Sequence, residues 1–155
     1  MTETLLRPLL ELEVEVGEVL SVGRTHAGER RLIPIHGGRF TGGRERLRAG
    51  RILPGGADWQ LVRPDGVADI AARYVLETDA GARIEVRSEG YRHGPPEAIA
   101  RLACGEPVAA HEYYFRTAMR FETASAELAW LNGMLGMAWG ERLARAVRLR
   151  VLEVL

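Results

Sequence analysis

Asp58 stands next to Trp59, directly after Pro54-Gly55-Gly56-Ala57, and Arg63-Pro64-Asp65-Gly66 follows shortly behind. Two glycines allow a tight turn on one side, and Pro-Asp-Gly is turn chemistry on the other. A carboxylate held between two corners beside an indole can serve as a general base. It can equally anchor a ligand hydroxyl or ammonium, with Trp59 as a wall. The same residues also suit a structural role, in which Trp59 and Leu61 fill a core and Asp58 bonds backbone amides. Arg73, before Tyr74, and Arg116, after Phe115, each lie in a segment with aromatic neighbours. A guanidinium there can clamp a carboxylate or enolate through two parallel hydrogen bonds, or pair with Asp58 or Glu122. His36 precedes Gly37-Gly38, where it can titrate near neutral pH as acid or base, or simply be exposed.

A second aromatic and polar cluster is Trp130-Leu131-Asn132-Gly133, followed by Met134, Leu135, Met137 and Trp139. Methionine adapts its shape, so this run suits an adjustable pocket wall as well as plain core packing. The basic residues are all arginine, so no lysine is available for Schiff-base catalysis. Cys104 is the sole cysteine, which rules out an internal disulfide and any multi-cysteine metal site. Flanked by apolar residues, it reads as a buried thiol. The four histidines show no metal-ligand spacing, so no metal site is expected. No phosphate loop, dinucleotide fingerprint or nucleophile elbow appears, and no cofactor is expected.

The elements that must position these residues are mostly strands. Leu10, Leu12, Val14 and Val16 alternate with Glu11, Glu13 and Glu15, a period of two with one apolar face. Gly17 and then Gly23 to Gly28 break the pattern. Residues 31–35 resume it, and Gly37-Gly38 predicts a bulge or sharp bend before residues 39–41. Further strands are expected over 47–53 and 58–62, and a hairpin over 68–78 and 82–92 turning at Asp79-Ala80-Gly81. Pro95-Pro96-Glu97 opens and Gly105 ends a helix over 95–104. Residues 113–123 alternate again, a helical turn covers 126–131, and strands follow over 134–139 and 146–155.

Many short strands with one helix in 155 residues point to a single all-β domain over 1–155, an antiparallel barrel of about eight to ten strands. A barrel of this size is filled by side chains or holds one small ligand. Strand parity leaves an open question. Asp58 shares a face with Gln60, and Arg116 shares one with Glu122, while their apolar neighbours point the other way. Apolar-inside packing would put these charges in solvent, whereas the functional readings need a partly polar lumen or a site at the barrel mouth.

Acidic and basic residues balance at 21 each, which argues against nucleic acid as a main partner. No apolar run approaches the ~20 residues needed to span a bilayer, so no membrane partner is expected. The start Met-Thr-Glu-Thr lacks a basic signal-peptide pattern. A cytoplasmic protein is the expectation. Free strand edges, if the barrel closes incompletely, would favour a homodimer.

The blocks IPIHGGRFTG, GRILPGGADWQLVRPDGVADIAARYVLETDAG, GYRHGPPEAIARL, EYYFRTAMRFET and AWLNG resemble domain-of-unknown-function family 3237, an uncharacterised bacterial and fungal family. They run from about residue 9 to the C-terminus in the family's order. The resemblance implies a small barrel of lipocalin-like (calycin-type) architecture, and it supplies no reaction. Residues matching its blocks include Asp58, Trp59, Arg73, Tyr74, Phe115, Arg116, Trp130 and Asn132. Three departures stand out: His36 in place of a small hydroxyl residue, Met119 in place of proline, and Gly133 with the Met-rich run. These look like pocket-lining changes suited to a bulky apolar substrate.

Together these features suggest a cofactor-independent enzyme, an isomerase or cyclase doing proton transfer on an apolar, carbonyl-bearing metabolite. Asp58 or His36 would act as base, Arg73 or Arg116 would stabilise negative oxygen, and Trp59, Tyr74, Phe115, Trp130, Asn132 and Met134 would shape the ligand. A non-catalytic carrier of an apolar small molecule is the alternative, and a barrel with a filled lumen is a third.

Overall fold

A computed structural model describes residues 5–155; the reading of the Met-Thr-Glu-Thr start lies outside the described residues. Ten strands form one antiparallel sheet: β1 (Leu6–Val16), β2 (Leu20–Thr25), β3 (Gly28–Gly42), β4 (Ala49–Ile52), β5 (Ala57–Val62), β6 (Ala68–Thr78), β7 (Arg83–His93), β8 (Tyr114–Thr123), β9 (Leu135–Arg142) and β10 (Ala146–Val154). Helix α1 covers Pro96–Ala103, and 3-10 turns cover Ala110–Glu112 and Ala126–Gly133.

The sheet runs β1-β10-β9-β8-β7-β6, then β4 and β5 in one shared position, then β3, which pairs back onto β1. That pairing closes an eight-position barrel and removes the exposed edges that an open sheet would present. β4 and β5 act as one strand interrupted over residues 53–56, each bridging β3 and β6. β2 lies outside the ring and pairs only with β3. It is the strand missed in the sequence, because Gly23 masks its alternation; Leu20 and Val22 on it are exposed.

Inward faces follow the period of two. Leu10, Leu12, Val14 and Val16 point in from β1, and Tyr74 and Leu76 from β6. On β3 the phase changes once. The register opposite β1 slips between Glu15 and Val16, leaving His36 as an extra residue. Below this bulge Phe40 is buried; above it Ile33 and Ile35 are buried, so the odd-numbered set, with Arg31, turns to the lumen. The bend needs glycine: Gly38 has φ 137°, and a side-chain carbon there would fall 2.1 Å from the Glu13 carbonyl oxygen.

The two ends of the barrel differ. At one end Leu128 and Leu131 of the second 3-10 turn are buried with Phe40, Leu47, Leu76, Ile84 and Met119. A half-buried ionic seal lies there as well. Glu153 accepts from Arg7 at 2.9 Å and from Arg44, whose guanidinium sits 4.4 Å from the Trp130 ring centroid. At the other end α1 leaves β7, buries Ala98 and Leu102, and leads to Val108 and Tyr113 at the start of β8. The helix forms over nearly the expected residues and stops at Gly105 with φ 75°. Cys104, expected to be buried, is exposed, because it falls at the C-terminal cap and off the face carrying Ala98 and Leu102. No helix among the described residues is long and apolar enough to cross a membrane.

Candidate functional site

The inner faces grade from apolar at the sealed end to polar at the α1 end. Midway, the Ser88 and Thr117 hydroxyls bond each other at 2.7 Å, both buried. Above them Asp58 and Gln60 enter from β5, Tyr74 from β6, Arg92 from β7 and Arg142 from β9, around a cavity of about 40 Å3. The rest of the lining includes Ile33, Ile35, Ile70 and Phe115. This free space holds a few waters at most, so a larger guest must displace side chains at the mouth.

Asp58 is held by two donors. The Ala71 N–H donates to one oxygen at 2.9 Å, and the Gln60 amide to the other at 2.8 Å. Gln60, only 2% exposed, accepts in turn from Arg31 Nη2 at 3.0 Å. Arginine can only donate and a carboxylate can only accept, so this chain fixes the orientation of the Gln60 amide. Burial pushes the Asp58 carboxyl above the usual aspartate range. The hydrogen bonds from Ala71 and Gln60, and the charges of Arg92 and Arg31, oppose that rise.

Tyr74 is buried and its hydroxyl has no hydrogen-bond partner among the described residues. Burial, and then the nearby Asp58 charge, push its ionisation up, so it stays a neutral donor at physiological pH. Burial first, and repulsion from Arg142 and Arg31 second, bring Arg92 down to about 10. Arg142 is lowered for the same leading reason. Tyr113 completes the rim by accepting the Arg142 backbone N–H at 2.7 Å.

Of the residues singled out in the sequence, Asp58, Tyr74 and Phe115 meet at this cavity. The others lie elsewhere, and each for a physical reason. Trp59, beside Asp58 in a strand, must take the opposite face and is 58% exposed. Arg73 is on the outer face of β6 and donates to Glu85 at 2.9 Å. Arg116 is on the outer face of β8, its guanidinium over the Tyr114 and Trp139 rings. His36 is the exposed residue of the β3 bulge.

Trp130 belongs to the sealed end. The Asn132 side chain is consumed by the Thr123 backbone, accepting from its N–H at 2.8 Å and donating to its carbonyl at 3.1 Å. Met134 packs on the core from outside the lumen, beside Asn132 and Arg120. The departures at His36, Met119 and Gly133 therefore do not line the cavity: Met119 is sealed in the core and the other two are exposed. Arg31, Arg92 and Arg142 were the residues missed. A signal for them existed, since each continues an inward row of small or apolar residues by one further step of two. They follow Ile35-Ile33, Val86-Ser88-Gly90 and Ala138-Gly140 respectively.

The fold and site define a closed antiparallel β-barrel with one sealed end and a charged, partly polar mouth. The chain matches the family described as "Protein of unknown function (DUF3237)" over residues 5–154, and it belongs to that family. A UPF0311 protein of Rhodopseudomonas palustris (strain TIE-1) is 40% identical over 156 residues, covering all of both chains. A crystal structure of a conserved protein of unknown function from Rhodopseudomonas palustris superposes with TM-score 0.90 at 39% identity over all of both chains. A β-barrel-like protein from Acinetobacter baumannii AYE gives TM-score 0.81 at 43% identity, covering 96% of this chain and 94% of that one. At greater distance, the structure of an enzyme from Penicillium herquei gives TM-score 0.67 at 19% identity, covering 94% and 92%. That last likeness concerns the fold alone.

Proposed function

We propose that this protein is a cofactor-independent enzyme that moves a proton on a carbonyl-bearing metabolite held in the barrel mouth, as an isomerase or cyclase would. The observation that carries this reading is Asp58: a carboxylate inside the lumen, with no ion-pair partner among the described residues, next to a buried hydroxyl with no partner. A carboxyl raised above its ordinary range is a stronger base than one in water. In the step envisaged, Asp58 accepts the proton from the carbon next to the carbonyl. The electron pair moves onto the carbonyl oxygen, and the Tyr74 hydroxyl donates a hydrogen bond to the enolate that forms. Returning the proton at another atom isomerises the substrate; attack within the same molecule closes a ring.

The apolar side chains of the lining suit the substrate's hydrocarbon body. The Penicillium herquei enzyme supports the reading only in that a barrel of this fold can host catalysis. A carrier would be served by a wholly apolar cavity, and this lumen holds an acid, an amide and a free hydroxyl instead. The test is deuterium exchange in D2O followed by proton NMR, with phenylacetone and phenylpyruvate as probes. Wild-type protein should accelerate exchange at the carbon beside the carbonyl, and Asp58→Asn should lose at least a hundredfold of that acceleration. Equal rates for the two proteins would remove Asp58 from the mechanism.

A further inference from the structure

Three guanidiniums reach the open end of the lumen without a carboxylate of their own among the described residues. Arg31 comes from β3, Arg92 from β7 and Arg142 from β9, so strands well separated in the ring contribute to one spot. Arg31 Nη2 donates to Gln60, but its buried Nε has no partner among the described residues. Arg92 lies with its guanidinium carbon 5.8 Å from the Phe115 ring centroid. Neither Arg92 nor Arg142 donates a side-chain hydrogen bond to a described residue, and both line the cavity.

Other half-buried arginines have partners of their own: Arg63 pairs with Asp65, and Arg116 lies over the Tyr114 and Trp139 rings and donates to the Phe115 carbonyl. Arg44 at the sealed end has Glu153, and Arg101 on α1 has Glu112 at 2.7 Å. At the mouth, three positive groups face one carboxylate, Asp58, which leaves positive charge in excess in a part-buried space. Uncompensated charge in such a place destabilises the free protein. Burial and mutual repulsion both act on Arg92, in agreement with that view. Arg44 and Arg101 have carboxylates, whereas Arg92 and Arg142 have none among the described residues, which leaves room for a negative group from outside.

Resting on the reading of this lumen as the substrate site, the geometry points to a carboxylate-bearing organic anion as its occupant, gripped by Arg92 and Arg142 with Arg31 behind them. The anion's hydrocarbon part lies against Phe115 and the aliphatic lining. Arg92 and Arg142 are part-exposed at the rim, with long flexible stems, so they are the side chains able to swing aside for it. Arginine recognises carboxylate through paired N–H groups, which lysine cannot reproduce.

The test is a thermal-shift titration at constant ionic strength with acetate, pyruvate, hexanoate and benzoate, each against its own amide. At least one carboxylate should raise the Tm of the wild type in a dose-dependent way, and its amide should not. Arg92→Met and Arg142→Met should each weaken that carboxylate at least tenfold, with Arg92→Lys in between. Without ligand, both methionine variants should melt at or above the wild-type temperature, because a repelled charge has gone. The inference is overturned if no carboxylate stabilises the wild type, or if amides or sulfate stabilise it equally. It is also overturned if the methionine variants bind like the wild type.

Asp58→Asn separates this inference from the catalytic reading. That variant should bind the carboxylate at least as tightly as the wild type, having lost a like charge, while losing proton exchange. Carboxylate binding with exchange independent of Asp58 leaves the ligand class standing and sinks the catalysis. Asp58-dependent exchange of phenylacetone, with no carboxylate bound in the titration, does the reverse.

Discussion

Burial strips water from the Asp58 carboxylate, while the Ala71 N–H and the Gln60 amide give back two hydrogen bonds. The desolvation wins, so the folded-state ionisation lies above the unfolded value near 3.8. The sign of the pH dependence follows. The folded protein holds this proton more tightly than the unfolded chain, so Asp58 favours folding most below the unfolded value. The cost of ionising it in the lumen grows as pH rises toward the folded value, then levels off. In urea titrations from pH 3.5 to 7, the stability of the wild type minus that of Asp58→Asn should therefore fall with rising pH. A difference that rises over this range would mean that the hydrogen bonds outweigh the burial. The aspartate was legible in the sequence because it stands between two turns. Its direction was not, since Trp59 on one face of the strand and Gln60, which shares the face of Asp58, are each compatible with either side of the sheet.

At the scale of the strand, small inward residues make room for rings. Gly140 on β9 lies beside Phe115 on the neighbouring strand β8, and a side-chain carbon there would fall 2.6 Å from the ring. Gly140→Ala should therefore displace Phe115 and cost about 1–3 kcal/mol by overpacking, measured as a lower urea midpoint. It should also disturb Arg92, which lies over the same ring. The β3 bulge acts at the same scale and more consequentially. One extra residue at His36 shifts the phase of the strand, so that Arg31 turns inward with Ile33 and Ile35. The sequence marked a bend at Gly37-Gly38, and the histidine beside it drew the chemical interpretation. The structure shows the histidine as the residue expelled by the bulge, and the arginine five positions earlier as the one the bulge aims.

At the scale of the molecule, the two ends of the barrel bury different chemistry. The sealed end carries large fully buried side chains and the paired Glu153. The mouth carries the unpaired guanidiniums and the raised carboxyl. Leu131→Ala removes packing from the sealed end, where the residue is 1% exposed. It should cost about 2–5 kcal/mol, seen as a fall in Tm, with ligand affinity in any surviving folded protein unchanged. A coupled loss of affinity in folded protein would show that the two ends do not behave independently.

The sequence by itself determined every strand but β2, the helix and the family, because a period of two, turn residues and block order are local properties of the chain. Asp58, Tyr74 and Phe115, singled out there, line the same cavity. What only the tertiary structure decided is which charges share a space. Arg31, Arg92 and Arg142 lie far apart in sequence, and each looks like any exposed arginine at a strand end. Arg73 and Arg116, with aromatic neighbours, looked more like site residues and lie on the outer face. Which face of each strand turns inward depends on closure, on one bulge and on the pairing of β1 with β3, contacts made between distant parts of the chain.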